Sequence, residues 1–169
     1  MLQGQRVVLR AWQAADVEPL GVLRNDVALQ QQLMSQPRPN TPERVQAWLK
    51  ARSEQSDGVF FVIADRQTDQ ALGFIQLQHL DLFHGHADLG ICLAPEAQGG
   101  GRGREAMQLL MGYARSVFSL RKILLQVLLS NTRAIALYES LGFERVGVLK
   151  AHFCAQGQHH DVLWMEHLT

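Results

Sequence analysis

The stretch Gln98-Gly99-Gly100-Gly101-Arg102-Gly103 decides how this chain is read. Four of the fourteen glycines fall in the five positions Gly99 to Gly103. A strand-like segment, Ala87 to Leu93, precedes it. An amphipathic helix to about Phe118 follows, with Met107, Leu110, Met111, Ala114 and Val117 or Phe118 as its apolar face. A strand, then glycines, then a helix makes an anion site: glycine lets backbone N–H groups approach phosphate, and the helix N-terminus adds partial positive charge. A solvated loop is the plain alternative for the glycines alone, and the flanking elements favour phosphate.

The kind of phosphate ligand is narrowed by elimination. A nucleotide P-loop needs Lys-Ser or Lys-Thr after its glycines, and none follows here. Gly101-Arg102-Gly103-Arg104-Glu105-Ala106 satisfies the dinucleotide pattern GxGxx[GA]. That reading also wants a carboxylate at the end of the next strand, where the chain offers Leu124-Leu125-Gln126-Val127. A dinucleotide-binding oxidoreductase is therefore the least supported alternative.

Outward from the glycines, Ile123 to Leu129 is an almost wholly apolar run, the composition of a central strand covered on both faces. Asn131 to Leu141 reads as a helix ended by Gly142, then strands over Phe143–Leu149 and Val162–His167 joined across Gln156-Gly157. Upstream, Val59–Ala64, Ala71–Leu77 and Ala87–Leu93 form a β-rich middle. Val7–Arg10 is a short strand, and Asp16 is placed to cap a helix through Leu23. Thr41-Pro42-Glu43 starts another helix with Val45, Trp48 and Leu49 as its buried stripe. The expected class is α/β, with a mixed sheet that is antiparallel first and carries a strand–helix–strand unit late.

At 169 residues and 47% apolar content, one domain over residues 1–169 is expected. Sixteen Lys+Arg balance sixteen Asp+Glu, which disfavours nucleic acid and anionic membranes as partners. Cys92 and Cys154 cannot alone make a disulfide framework or a four-ligand zinc site. His159 and His160 are adjacent on a strand, face opposite ways, and are read as edge-strand surface, so no metal is expected. The first residues lack a signal-peptide apolar region and no apolar run reaches 18 residues; cytoplasmic localisation is the expectation. Charge is uneven along the chain. From Gln98 to Lys122, Arg102, Arg104, Arg115, Arg121 and Lys122 face only Glu105, whereas His79 to Gly90 holds Asp81 and Asp88 without Lys or Arg. A basic end suited to an anionic ligand and a mildly acidic end suited to a cationic one are expected.

Two motifs carry a family resemblance. Gln98-x-x-Gly101-x-Gly103 resembles the (Gln/Arg)-x-x-Gly-x-(Gly/Ala) pyrophosphate loop of the GNAT superfamily of N-acetyltransferases. Asn131-Thr132-Arg133-Ala134-Ile135-Ala136-Leu137-Tyr138-Glu139-Ser140-Leu141-Gly142-Phe143 looks like its N-x-x-A-x-x-L-Y-x-x-x-G-F segment. The two stand in the expected order, and the resemblance covers roughly Phe61 to the C-terminus. The Gly157…Asp161 ending is similar to the subgroup acetylating ribosomal-protein N-termini, polyamines and amino-sugars.

The resemblance implies a GNAT fold: a mixed, mostly antiparallel central sheet with two splayed parallel strands, Ala87–Leu93 and Ile123–Leu129, flanked by about four helices. It implies acetyl-CoA as co-substrate. The backbone of Ile91, Cys92 and Leu93 would pair with the pantetheine arm. After Gln98, the N–H groups of Gly99, Gly100, Gly101, Arg102, Gly103 and Arg104 would hold the pyrophosphate. Asn131 would bond the cofactor arm besides capping its helix. Arg133 would approach a CoA phosphate, or stay solvated. Tyr138, protonated at neutral pH, would donate to the departing thiolate; its plain alternative is packing beside Leu137 and Leu141. The amine acceptor must lose a proton, for which Asp88 and His86 are the candidate bases, with His79 and His84 nearby. Direct attack in a ternary complex is implied, with a backbone N–H near Leu93 polarising the thioester carbonyl. The acceptor is unassigned, since Arg24–Asn40, His79–His86 and Lys150–His160 are the least regular parts. A non-catalytic acyl-CoA-binding module is the main alternative, and the C-terminal strands are a candidate homodimer surface.

Overall fold

The computed structural model describes residues 1–169. An eight-stranded sheet forms its frame: β1 (Leu2–Gln3), β2 (Val7–Arg10), β3 (Val59–Asp65), β4 (Ala71–Asp81), β5 (His86–Leu93), β6 (Lys122–Leu128), β7 (Glu144–Ala155) and β8 (Gln158–Leu168). The order across the sheet is β1-β2-β3-β4-β5-β6-β8-β7. Every neighbouring pair is antiparallel except β5–β6. The sheet is therefore mixed and mostly antiparallel around one parallel pair, as the motifs implied.

Helices cover both faces. α1 (Val17–Asn25), α2 (Val27–Gln32) and α3 (Pro42–Ser53) pack on one, where Leu20, Leu49, Val62, Phe74 and Cys92 share a core. α4 (Arg102–Phe118) and α5 (Thr132–Glu139) pack on the other with Ile75, Leu89, Met107 and Tyr138. Side chains alternate along a strand, so Gln76 and Gln78 share the face of Phe74, and Asp88 shares that of Cys92. No helix is long and apolar enough to cross a membrane.

Some local expectations change. There are five α-helices rather than about four, because α2 forms inside the stretch read as irregular. Its cap is Asp26, whose carboxylate accepts from the Leu29 N–H at 3.0 Å; six residues are too few to show a helical period. Asp16 stands at the N-cap position of α1, but its side chain makes no cap hydrogen bond. Its carboxylate instead pairs with the Arg10 guanidinium at 2.7 Å and accepts from the Gln13 N–H, closing a 3-10 turn over Ala14–Asp16. His159 and His160 belong to β8, which lies inside β7; the sheet edge is β7. The turn joining these strands is at Gln156-Gly157, both with positive φ.

Candidate active site

β5 and β6 run together for only three residue pairs, His86–Lys122, Ala87–Ile123 and Asp88–Leu124. Beyond these, β5 stays on β4 as far as Leu93 and β6 stays on β8 through Leu128. The facing edges of Leu89–Leu93 and Leu125–Leu128 thus have no strand partner. A buried backbone group left without a hydrogen bond costs about 1–3 kcal/mol, so such a gap suits a ligand that brings its own amides. The gap opens into a cleft of about 1010 Å³. Gly73 makes the close strand approach beside it feasible: a Cβ there would lie 2.0 Å from the Cys92 carbonyl oxygen and 2.9 Å from Leu93 Cα.

The glycine cluster stands at the end of this gap. Gly99 and Gly101 have φ of 96° and 80°, a left-handed conformation that glycine adopts without strain, and α4 starts immediately afterwards. Gln98 Nε2 donates to the Leu93 carbonyl at 3.1 Å, tying the loop to β5. Gly103 lies against Leu93, where an added Cβ would meet its side chain at 3.3 Å. Arg104 bonds Ser140 Oγ at 2.6 Å and joins the start of α4 to the end of α5. The Arg133 guanidinium lies beside Gly99. Gln98, Gly99, Gly101, Gly103, Arg104 and Arg133 line the cleft, whereas Gly100 and Arg102 do not. Arg102 turns toward Asp65, 3.7 Å away, with its Nε buried and unpartnered.

Two supports come from distant sequence. Glu105, in the first turn of α4, accepts the backbone N–H groups of Gln5, Arg6 and Val7 at 2.8, 2.8 and 2.9 Å. Burial raises its pKa, but those three bonds and the Arg6 charge outweigh burial and hold it below its ordinary value. Arg6 in turn lies beside Gly101. Nothing local to residues 5–7 signals these contacts, which are made across the fold.

At the centre, Asn131 caps α5 by accepting from the Ala134 N–H at 3.2 Å. Ile91, Cys92, Leu93, Asn131 and Tyr138 all line the cleft. The Tyr138 ring packs near Phe143 at 6.0 Å between centroids, and its hydroxyl has no hydrogen-bond partner in the chain. Burial pushes its pKa up to about 12, so it holds its proton. Burial, with the Asp26 charge, also pushes the Cys92 thiol up to about 12 and keeps it neutral.

The structure joins Asp88 to His79 rather than to His86. His79 Nδ1 lies 2.9 Å from Asp88 Oδ2, and both residues line the cleft. His79 has φ of 50° within an irregular stretch of the β4–β5 pairing, between Gln78 and Asp81. His86 lies outside the cleft, its Nε2 3.9 Å from Asp81 and its ring stacked over His84. The mildly acidic end expected from Asp81 and Asp88 forms only in part. Asp81 is not in the lining, Asp88 is its only carboxylate, and Arg24 and Arg52 enter from α1 and α3.

These features fit a long ligand with phosphates at the glycine loop and amides along the strand gap. The acetyltransferase (GNAT) domain family matches residues 6–144. The spermidine N(1)-acetyltransferase of Vibrio cholerae serotype O1 is 28% identical over 157 residues, spanning 93% of this chain and 90% of that protein. The spermidine N(1)-acetyltransferase of Escherichia coli K12 is also 28% identical, over 98% of this chain and 87% of its own. Among solved structures, that of the Vibrio cholerae spermidine N-acetyltransferase in complex with CoA and spermine superposes with a TM-score of 0.89 at 27% identity, covering 98% of this chain and 96% of that one. The family match spans most of the chain and ends one residue into β7, so the chain belongs to the GNAT acetyltransferases and its acetyl donor is acetyl-CoA.

Proposed function

We propose that this enzyme acetylates a primary amine, of a small molecule or a protein N-terminus, by direct attack in a ternary complex. The observation that carries the reading is the β5–β6 gap, which Asp88 meets from one sheet face and Tyr138 from the other. Acetyl-CoA supplies an activated acetyl thioester. The backbone of Ile91 to Leu93 orients it by pairing with its amides, and an N–H near Leu93 polarises the carbonyl. Backbone N–H groups of Gly99, Gly101, Gly103 and Arg104 hold its pyrophosphate, with Arg133 beside them.

An amine arriving as ammonium must give up a proton. With Nδ1–H donated to Asp88, His79 presents Nε2 as the acceptor, and Asp88 stabilises the imidazolium that forms. This assigns the base to the His79–Asp88 pair; His86 has no place in the step because it lies outside the cleft. Tyr138 Oη holds the proton that the departing sulfur needs.

The test is thiol release from acetyl-CoA across polyamines, amino-sugars, amino acids and N-terminal peptides. Asp88→Asn and His79→Ala should lower kcat/KM and alter its pH profile, while His86→Ala should leave both unchanged. Loss of the profile in His86→Ala alone would overturn the base assignment. A non-catalytic acyl-CoA-binding module would bind acetyl-CoA and release no thiol with any amine. A homodimer through the sheet edge is part of the same proposal: β7 is the edge strand and exposes Val146 and Val148. Sedimentation should then show a species of twice the chain mass.

A further inference from the structure

Arg24 is the oddest charge in the cleft. Its guanidinium carbon lies 4.3 Å above the Trp48 ring, and one Nη reaches Asn40 Oδ1 only at 3.4 Å. Its Nε is buried with no acceptor, and no carboxylate pairs with it. Arg52, the second arginine lining this side, bonds only the neutral Gln55 side chain at 3.2 Å. The Arg44 guanidinium hydrogen-bonds only the Pro39 carbonyl, at 3.3 Å. Burial first, and then the Arg52 and Arg44 charges, pull the Arg24 pKa below its ordinary value.

Arg10 shows what this protein does with an arginine whose role is structural. Its guanidinium bonds both oxygens of Asp16, at 2.7 and 2.9 Å, and Asp69 at 2.7 Å. A partly buried charge without such a partner is unfavourable, and the cation–π contact with Trp48 offsets only part of the loss. The planar guanidinium fork matches a carboxylate or a phosphate. Arg24 and Arg52 enter the cleft from the α1–α3 side, the sheet face on which Asp88 also lies. The only carboxylate in the lining is Asp88, which His79 engages. A polycation seated here would meet two unpaired arginines and no free acid.

We propose that the acceptor is a primary amine that carries its own anionic group, a carboxylate or a phosphate, and that Arg24 and Arg52 determine this specificity. This rests on the amine-acetylation reading above. The amine end lies toward His79–Asp88 and the anionic end toward Arg24, held in place on Trp48.

The test uses matched amines in the thiol-release assay: alanine against alaninamide, glutamate against its diamide, glucosamine phosphate against glucosamine, with spermidine as the polycation. In whichever pair turns over, the anionic member is expected to have kcat/KM about 10- to 100-fold above its neutral partner, the range of a charge-assisted pair. The alanine and glutamate pairs report carboxylate, and the sugar pair reports phosphate. Arg24→Gln and Arg52→Gln should collapse the anionic-to-neutral ratio through KM, while Arg24→Lys should restore part of it. Melting temperatures confirm that each variant folds. Neutral amines or spermidine turning over as well as the anionic members would overturn this proposal and leave the acetyltransferase reading standing. Absence of thiol release with every amine of either kind would overturn both.

Discussion

Replacing Tyr138 by Phe separates chemistry from packing with little ambiguity. The hydroxyl has no partner in the chain, so its removal orphans no donor or acceptor, and the ring keeps its place against Phe143. The stability change is expected to stay within about 0.5 kcal/mol. The catalytic cost follows from proton affinities. Tyr138 holds its proton to about 12, and an ordinary thiol ionises near about 8.5, which makes the transfer look uphill. Burial disfavours a bare thiolate, as it does at Cys92, so a departing sulfur in this cleft gains from a proton donor at hand. A positioned general acid contributes about 10²-fold or more, equivalent to about 2.7 kcal/mol of barrier. Single-turnover thiol release, which isolates the chemical step, should therefore fall about 10²-fold in Tyr138→Phe with acetyl-CoA affinity unchanged. The loss should be uniform from about pH 6 to about pH 9, since Tyr138 does not titrate there. A variant within about twofold of the parent rate would refute the role given to Tyr138.

Other outcomes follow from single contacts. Gly73→Ala places a Cβ 2.0 Å from the Cys92 carbonyl oxygen, so a loss of about 3 kcal/mol in thermal melts and weakened acetyl-CoA binding by titration are expected together. Glu105→Gln leaves one acceptor oxygen for three N–H groups and should cost about 1–2 kcal/mol at neutral pH. Because the folded-state pKa of Glu105 is depressed below 4.5, its contribution is present above that pH and lost on acidification. The melting temperatures of parent and variant should therefore converge in acid, and parallel curves would count against the clamp. The folded Tyr138 pKa is raised above 10, so its contribution is complete below pH 10 and lost as pH climbs toward about 12. Tyr138→Phe should flatten the alkaline fall in melting temperature over that window. Iodoacetamide at mild alkaline pH should label the exposed Cys154 and spare Cys92, read by peptide mass spectrometry; a Cys92 adduct would contradict the buried, neutral thiol.

The parts of the fold that are legible in sequence are those written in contiguous residues. The glycine loop, the α4 face and the Asn131 cap depend on neighbours within one or two turns, and local pattern is enough to find them. The α2 helix escapes because six residues carry no period, and Asp16 escapes because its partner Arg10 is on a strand. The candidate base shows the same limit. His86 shares strand parity with Asp88, but the neighbour within hydrogen-bond distance is His79, brought over by a register shift and a positive φ that no side-chain pattern announces. Charge read along the chain placed acid at the acceptor end. Folding brings Arg24 and Arg52 into the cleft from helices far away in sequence and leaves Asp81 outside.

Thiol release from acetyl-CoA by the full chain, with and without each amine of the panel, tests the central claim most directly. Release that requires an amine, yields the N-acetylated product by mass and drops about 10²-fold in Tyr138→Phe is the expected result. Tight acetyl-CoA binding with no amine-dependent release across the whole panel would contradict it.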